Sequence, residues 1–200
     1  MMTTTLRLTG LAGLLALTAC ATPTPPVYDT GDYFDAAAQA ARLNALPAAP
    51  SADLPVSGSA TYDGFMSGRL TGDADGRVVG AMRMNIGFGG ATDAISGRVS
   101  DITLLGSTDL DDQTLGGFLT IDGSRAGSNV IGAAGGRLTA VDGTGIAGGY
   151  DMNLPFNGAL RSDVTGADSV SGRVTGGGVG TGWASGEVVT LQDGRFYGQR

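Results

Sequence analysis

Residues Ile146 to Phe156 alternate without a break. Ile146, Gly148, Tyr150, Met152, Leu154 and Phe156 fall on one side of an extended chain; Ala147, Gly149, Asp151, Asn153 and Pro155 fall on the other. A period of two over such a run predicts a strand with one buried face. Pro155 predicts a strand end or an edge, since proline donates nothing to a ladder. The pattern returns at 78–88, where Val78, Met82, Met84, Ile86 and Phe88 share a side and Arg83 and Asn85 oppose them.

Turn signals punctuate the rest of the body. Asp-Gly occurs at Asp63-Gly64, Asp75-Gly76, Asp122-Gly123, Asp142-Gly143 and Asp193-Gly194, and Asn157-Gly158 adds a sixth pair. Such pairs suit the positive φ of a tight hairpin. They predict strands at 58–62, 65–71, 77–88, 94–104, 115–121, 130–140, 146–156, 158–161, 169–176 and 183–192. No helical pattern separates them, so the pairing is expected to be antiparallel. The fold class expected is all-β: a small, closed, roughly eight-stranded antiparallel barrel. The 36 glycines follow no Gly-X-Y period, which excludes collagen, and they suit the sharp bends of a small barrel. The apolar face is expected to fill the interior, with Asp151 and Asn153 in solvent. The opposite arrangement would put the apolar face against lipid or a partner and leave a polar lumen.

One phrase recurs at Ser67-Gly68-Arg69-Leu70-Thr71, Ser96-Gly97-Arg98-Val99-Ser100, Gly135-Gly136-Arg137-Leu138-Thr139 and Ser171-Gly172-Arg173-Val174-Thr175. The spacing is too uneven for a solenoid. It reads either as similar strands around a barrel, their arginines outward, or as convergence in a low-complexity composition.

The N-terminus reads differently. Arg7 precedes an apolar run from Leu8 to Ala19, too short to span a bilayer comfortably. Residues 1–19 are expected to be a lipoprotein signal peptide, because Leu17-Thr18-Ala19-Cys20 resembles the bacterial lipobox, in which the cysteine is lipidated. Cys20 is the sole cysteine, so no intramolecular disulfide is possible; the competing reading is an ordinary signal peptide with an incidental cysteine. Residues 20–56 are then the lipidated cysteine, a proline-rich tether and either a short helix at 32–46 with Asp32 as N-cap or a disordered alanine-rich linker. Pro47 and Pro50 end that helix, and 51–55 continue as linker. Residues 57–200 form the barrel domain. By resemblance to lipoproteins, Ala21 in place of an aspartate after the cysteine implies the outer membrane, facing either the periplasm or the surface.

Absences narrow the chemistry. The chain has no histidine; all twelve basic residues are arginine, and Glu187 is the sole glutamate among nineteen acids. A Ser-His-Asp triad, a histidine metal ligand and a Schiff-base lysine are all excluded. The net charge of −7 disfavours nucleic acid as a partner. The chain is expected not to be an enzyme, and no catalytic, metal or cofactor residue is assigned. Gly143-Thr144-Gly145-Ile146-Ala147-Gly148 matches a dinucleotide fingerprint only in letters, because a strand follows it. Asp73-Ala74-Asp75-Gly76 reads as an acidic hairpin turn rather than a calcium loop, and Asp109 to Asp112 as a solvated loop. Trp183, Phe196 and Tyr197 are expected to plug the core rather than line a pocket.

Gly58-Ser59-Ala60-Thr61-Tyr62-Asp63-Gly64, Met84-Asn85-Ile86-Gly87-Phe88-Gly89 with Ile95-Ser96-Gly97, and Val170-Ser171-Gly172-Arg173-Val174 leading to Gly194-Arg195-Phe196-Tyr197-Gly198 resemble the β-barrel domain of the transferrin-binding protein B family. The likeness runs from about Ser57 to Tyr197. It implies an eight-stranded barrel on an outer-membrane lipoprotein that binds a host or environmental protein, or a small ligand, in nutrient acquisition. The handle domains of the larger receptors have no counterpart here, and no binding residue is carried over. The competing function is a structural or envelope-interaction lipoprotein without a small-molecule ligand.

Overall fold

The computed structural model describes residues 26–89, 94–106, 112–141, 147–162 and 167–200. A helix, α1 (Thr30–Asn44), precedes ten strands: β1 (Gly58–Gly72), β2 (Gly76–Phe88), β3 (Ala94–Leu105), β4 (Gln113–Gly117), β5 (Leu119–Ala126), β6 (Asn129–Val141), β7 (Ala147–Arg161), β8 (Ser169–Val174), β9 (Gly177–Gly182) and β10 (Val188–Gln199). All pairings are antiparallel. The ladders run β1–β2–β3–β5–β6–β7–β8–β10 and return to β1, closing a ring through eight strands. This is the closed antiparallel sheet that the alternation predicted.

The two extra strands are continuations. β4 lies ahead of β5, between β3 and β6; β9 follows β8, between β7 and β10. Each break sits at a glycine in the left-handed region, Gly117 (φ 96°) and Gly176 (φ 100°), where a side chain would be strained. Pro155 is inside β7 rather than at its end. Its carbonyl accepts from the Thr175 amide at 2.9 Å, so its missing N–H faces the β8–β9 break, where no ladder bond is due.

The Asp-Gly and Asn-Gly signals meet mixed fates. Asp75-Gly76 closes the β1–β2 hairpin, but Asp63-Gly64, Asp122-Gly123 and Asn157-Gly158 lie inside strands, which fuses 58–62 with 65–71 and 146–156 with 158–161. Asp142-Gly143 and Ile146 lie outside the described residues. The physical reason is room rather than φ. Gly158 pairs with Gly172, and the Phe196 ring occupies the space where their Cβ atoms would be. Gly123 pairs with Gly132, and Phe156 lies over Gly132 in the same way. The two phenylalanines meet edge to face, with ring centroids 5.4 Å apart.

Asp193-Gly194 marks a bulge instead of a turn. The β1–β10 register slips between Ser67 and Arg69, opposite Asp193 (φ 51°). The β2–β3 register slips between Val79 and Ala81, opposite Asp101 (φ 52°). Aspartate tolerates this conformation better than most residues. The β3 bulge resets the phase, so that Ile95 and Val99 before it and Ile102 and Leu104 after it all enter the interior cluster.

The interior is apolar. Tyr150, Met152, Leu154 and Phe156 are buried, with Asp151 and Asn153 exposed between them. Tyr62, at the opposite end from Tyr150, donates its hydroxyl to the Ala167 carbonyl at 2.8 Å, and burial pushes its pKa up to about 12. All four recurring arginines, Arg69, Arg98, Arg137 and Arg173, point outward, and the residue after each is buried.

α1 docks on the outside of the ring. Its N-cap is Asp29, not Asp32; Asp32 completes a capping box by accepting from the Asp29 amide at 2.8 Å. Ala36 packs on Val79 and Leu105 within a shell of Tyr28, Tyr33, Phe65 and Tyr197. The stretch expected to be linker also folds back: Ser51–Asp53 makes a 3₁₀ turn, and Ala49 and Leu54 join the interior cluster. Ala48 bridges to Arg161.

Candidate functional site

A closed sheet offers a ligand two places: its lumen or its outer wall. The lumen here is filled. Among the described residues it keeps a gap of about 40 Å³, bounded by side chains such as Met66, Val99, Leu138 and Leu154. Drug-sized ligands need several hundred Å³. The polar, ligand-holding lumen of the alternative arrangement is therefore not what this sequence builds.

The aromatics singled out in the sequence divide accordingly. Phe196 is fully buried in the interior. Tyr197, its neighbour in β10, faces outward and packs on Phe65 with ring centroids 6.1 Å apart; burial raises its pKa. Trp183 packs against the interior cluster, its indole over Gly148. Its buried Nε1 has no partner among the described residues. Glu187 accepts from the Tyr150 hydroxyl at 2.7 Å.

The acidic motifs perform structural tasks. Asp73 accepts from the Val188 amide at 2.7 Å. Asp75 takes both Nε and Nη2 of Arg69 at 3.0 and 2.8 Å, and that guanidinium holds its carboxyl below the usual range. Asp112 accepts from the Gly106 amide. Cys20, Asp109, Asp111 and Gly143 to Ile146 lie outside the described residues. No group of three metal-ligating side chains occurs among the described residues.

Among the described residues, three concavities of the outer wall stand out. One, about 920 Å³, spreads over β1, β2, β3 and β10 and contains Asp63, Arg83 and Arg98. Arg83 and Asp63 form a forked pair at 2.6 and 3.2 Å, which lowers the Asp63 pKa; both are exposed, so the pair contributes little to stability. The second, along α1, carries Asp32, Asp35 and Arg42. The third, about 770 Å³, lies between the end of α1 and the strands β6, β7, β8 and β10; it holds Arg161, Arg173 and Arg195 and no acid. Of the three, only this last concavity gathers arginines with no acid among its lining residues. Sequence reasoning missed it: Arg173 was read as one of four equivalent outward arginines, and Arg195 as part of a terminal aromatic motif.

Compared with known proteins, the chain matches no family model, no curated protein and no solved structure.

Proposed function

We propose that this chain is an outer-membrane lipoprotein, anchored through Cys20, whose closed β-sheet binds a protein or small ligand on its outer wall, in a nutrient-acquisition role of the transferrin-binding protein-like kind. The observation that carries the wall over the lumen is the apolar interior, where the gap among Met66, Val99, Leu138 and Leu154 is about 40 Å³, well below the several hundred Å³ of a small-molecule pocket. The anchor reading rests on Leu17-Thr18-Ala19-Cys20 and on the prolines at Pro23, Pro25 and Pro26, which give an extended spacer ahead of α1. Several acyl chains, at about 0.8 kcal/mol per buried methylene, hold such a domain on a membrane.

The test is metabolic labelling with a radioactive fatty acid. The wild-type chain is expected to incorporate label and to sediment with membranes. Cys20→Ser is expected to do neither. A wild type that takes no label removes the anchor from this reading.

A further inference from the structure

Eleven of the twelve arginines lie in the described part of the chain, and nine have a settled environment. Arg69, Arg83, Arg137 and Arg200 face aspartates. Arg42 donates to Gln39, Arg125 to backbone carbonyls, and Arg161 to the Leu46 carbonyl at 2.9 Å. Arg77 and Arg98 stack on aromatic rings. Arg173 and Arg195 alone have no side-chain hydrogen bond, ion pair or ring contact among the described residues.

These two are directly opposite each other across the β8–β10 ladder. Like charges so placed repel across only a few ångströms. Net charge makes the placement more pointed, because a chain with nineteen acids and a charge of −7 sets none of them in this groove. A third arginine, Arg161, lines the same groove, and its Nε is buried with no partner. Asn44 and Asn157 bring side-chain amides to the rim, and Ile131, 61% exposed, supplies an apolar flank.

We infer that the groove between α1 and strands β6, β7, β8 and β10 binds a phosphate group, with Arg173 and Arg195 as its paired guanidinium ligands. A carboxylate is satisfied by one guanidinium fork, and it carries one charge. A phosphate monoester presents three oxygens and close to two charges, which matches two adjacent forks. Arg161, fixed by the Leu46 carbonyl, adds positive potential without having to move. Free phosphate, or a lipid headgroup with its apolar tail along Ile131, satisfies the same chemistry. The inference rests on the outer-wall reading for where the ligand sits, but not on the anchor.

The experiment uses the full chain in a neutral detergent, melted in sodium phosphate and in sodium chloride of equal ionic strength. Ligand that binds the folded state stabilises it by RT ln(1 + L/Kd), with L the free ligand concentration, and raises the melting temperature accordingly. Wild type is expected to melt higher in phosphate, by an increment that grows with the logarithm of phosphate concentration above Kd. Arg195→Gln and, separately, Arg173→Gln are expected to weaken phosphate binding about tenfold, the loss of one charged hydrogen-bonded contact. In chloride each is expected to melt no lower than wild type, because the repulsion is relieved. Arg98→Gln, which alters an arginine outside the groove, should keep the full phosphate response. In the second arm, vesicles of phosphatidylcholine with and without phosphatidic acid assign the source. A preference for phosphatidic acid that both groove variants lose, without a response to inorganic phosphate, identifies the headgroup. The inference is overturned if wild type shows neither response, or if the groove variants respond as wild type does. Fatty-acid labelling at Cys20 is read separately, so a failed anchor and a failed phosphate site give different results.

Discussion

The molecule has two apolar clusters that obey different rules. Inside the ring, side chains enter from all around and meet across glycine pairs, so that Phe156 and Phe196 occupy volume their neighbours leave empty. Outside, Val79 and Leu105 are just as buried, but their cover is a single helix and the aromatic shell of Tyr28, Tyr33, Phe65 and Tyr197. The interior is held by ladders that close on themselves. The exterior cluster is held by one helix laid on the wall and by the aromatic rings around it. Damage inside should therefore be global, and damage outside local.

The largest effect tests the interior. Phe196→Ala removes the ring that covers Gly158 and Gly172 and is expected to cost about 3–5 kcal/mol, the usual range for an aromatic lost from a core. Denaturant midpoints measure it. A cost below about 1 kcal/mol, typical of surface sites, would break the contrast. Leu105→Ala should cost about 2–3 kcal/mol, and its signature differs. Amide exchange in α1 should accelerate before that in β6 and β7. If all three lose protection together, the helix is part of the same cooperative unit as the ring.

A smaller effect probes one end of the interior by pH. Burial raises the Tyr62 pKa to about 12 from an unfolded value near 10. The folded state thus holds the proton more tightly. Its contribution is fully present below pH 10 and is lost as pH rises through about 12, a fall of about 2 kcal/mol. Stability followed from pH 9 to 12 should show this slope, and Tyr62→Phe should flatten it. An unchanged slope in the variant would assign the alkaline loss to other groups.

Much of the interior was legible because burial on one face imposes a period of two, and 146–156 and 78–88 display it directly. The exterior cluster left a fainter trace. Where both faces of a strand are covered, apolar residues stand side by side, as in Phe65-Met66, Val78-Val79 and Leu104-Leu105. Those doublets were the available sign that something packs on the wall. Asn157-Gly158 misled for a related reason: a glycine has the same letter whether it supplies positive φ or vacates space for a ring. The arginine groove was not legible at all. It depends on Arg173 meeting Arg195 across a ladder and on the end of α1 beside it, and neither the register nor the helix placement is written in local pattern.

Ring closure also limits how a partner can take hold. Each of the ten described strands has a hydrogen-bonded neighbour on both sides, since even β4 and β9 are flanked twice. Among the described residues, the open row of amides and carbonyls that an extended peptide needs to add itself to a sheet is confined to short stretches such as Gly58–Tyr62 of β1, which pairs with β2 alone. Strand donation, which reads backbone and tolerates many sequences, has little room on such a ring. A partner docking on the curved wall would read side chains there, and its selectivity would be decided by the few positions where charge or apolar surface stands unanswered.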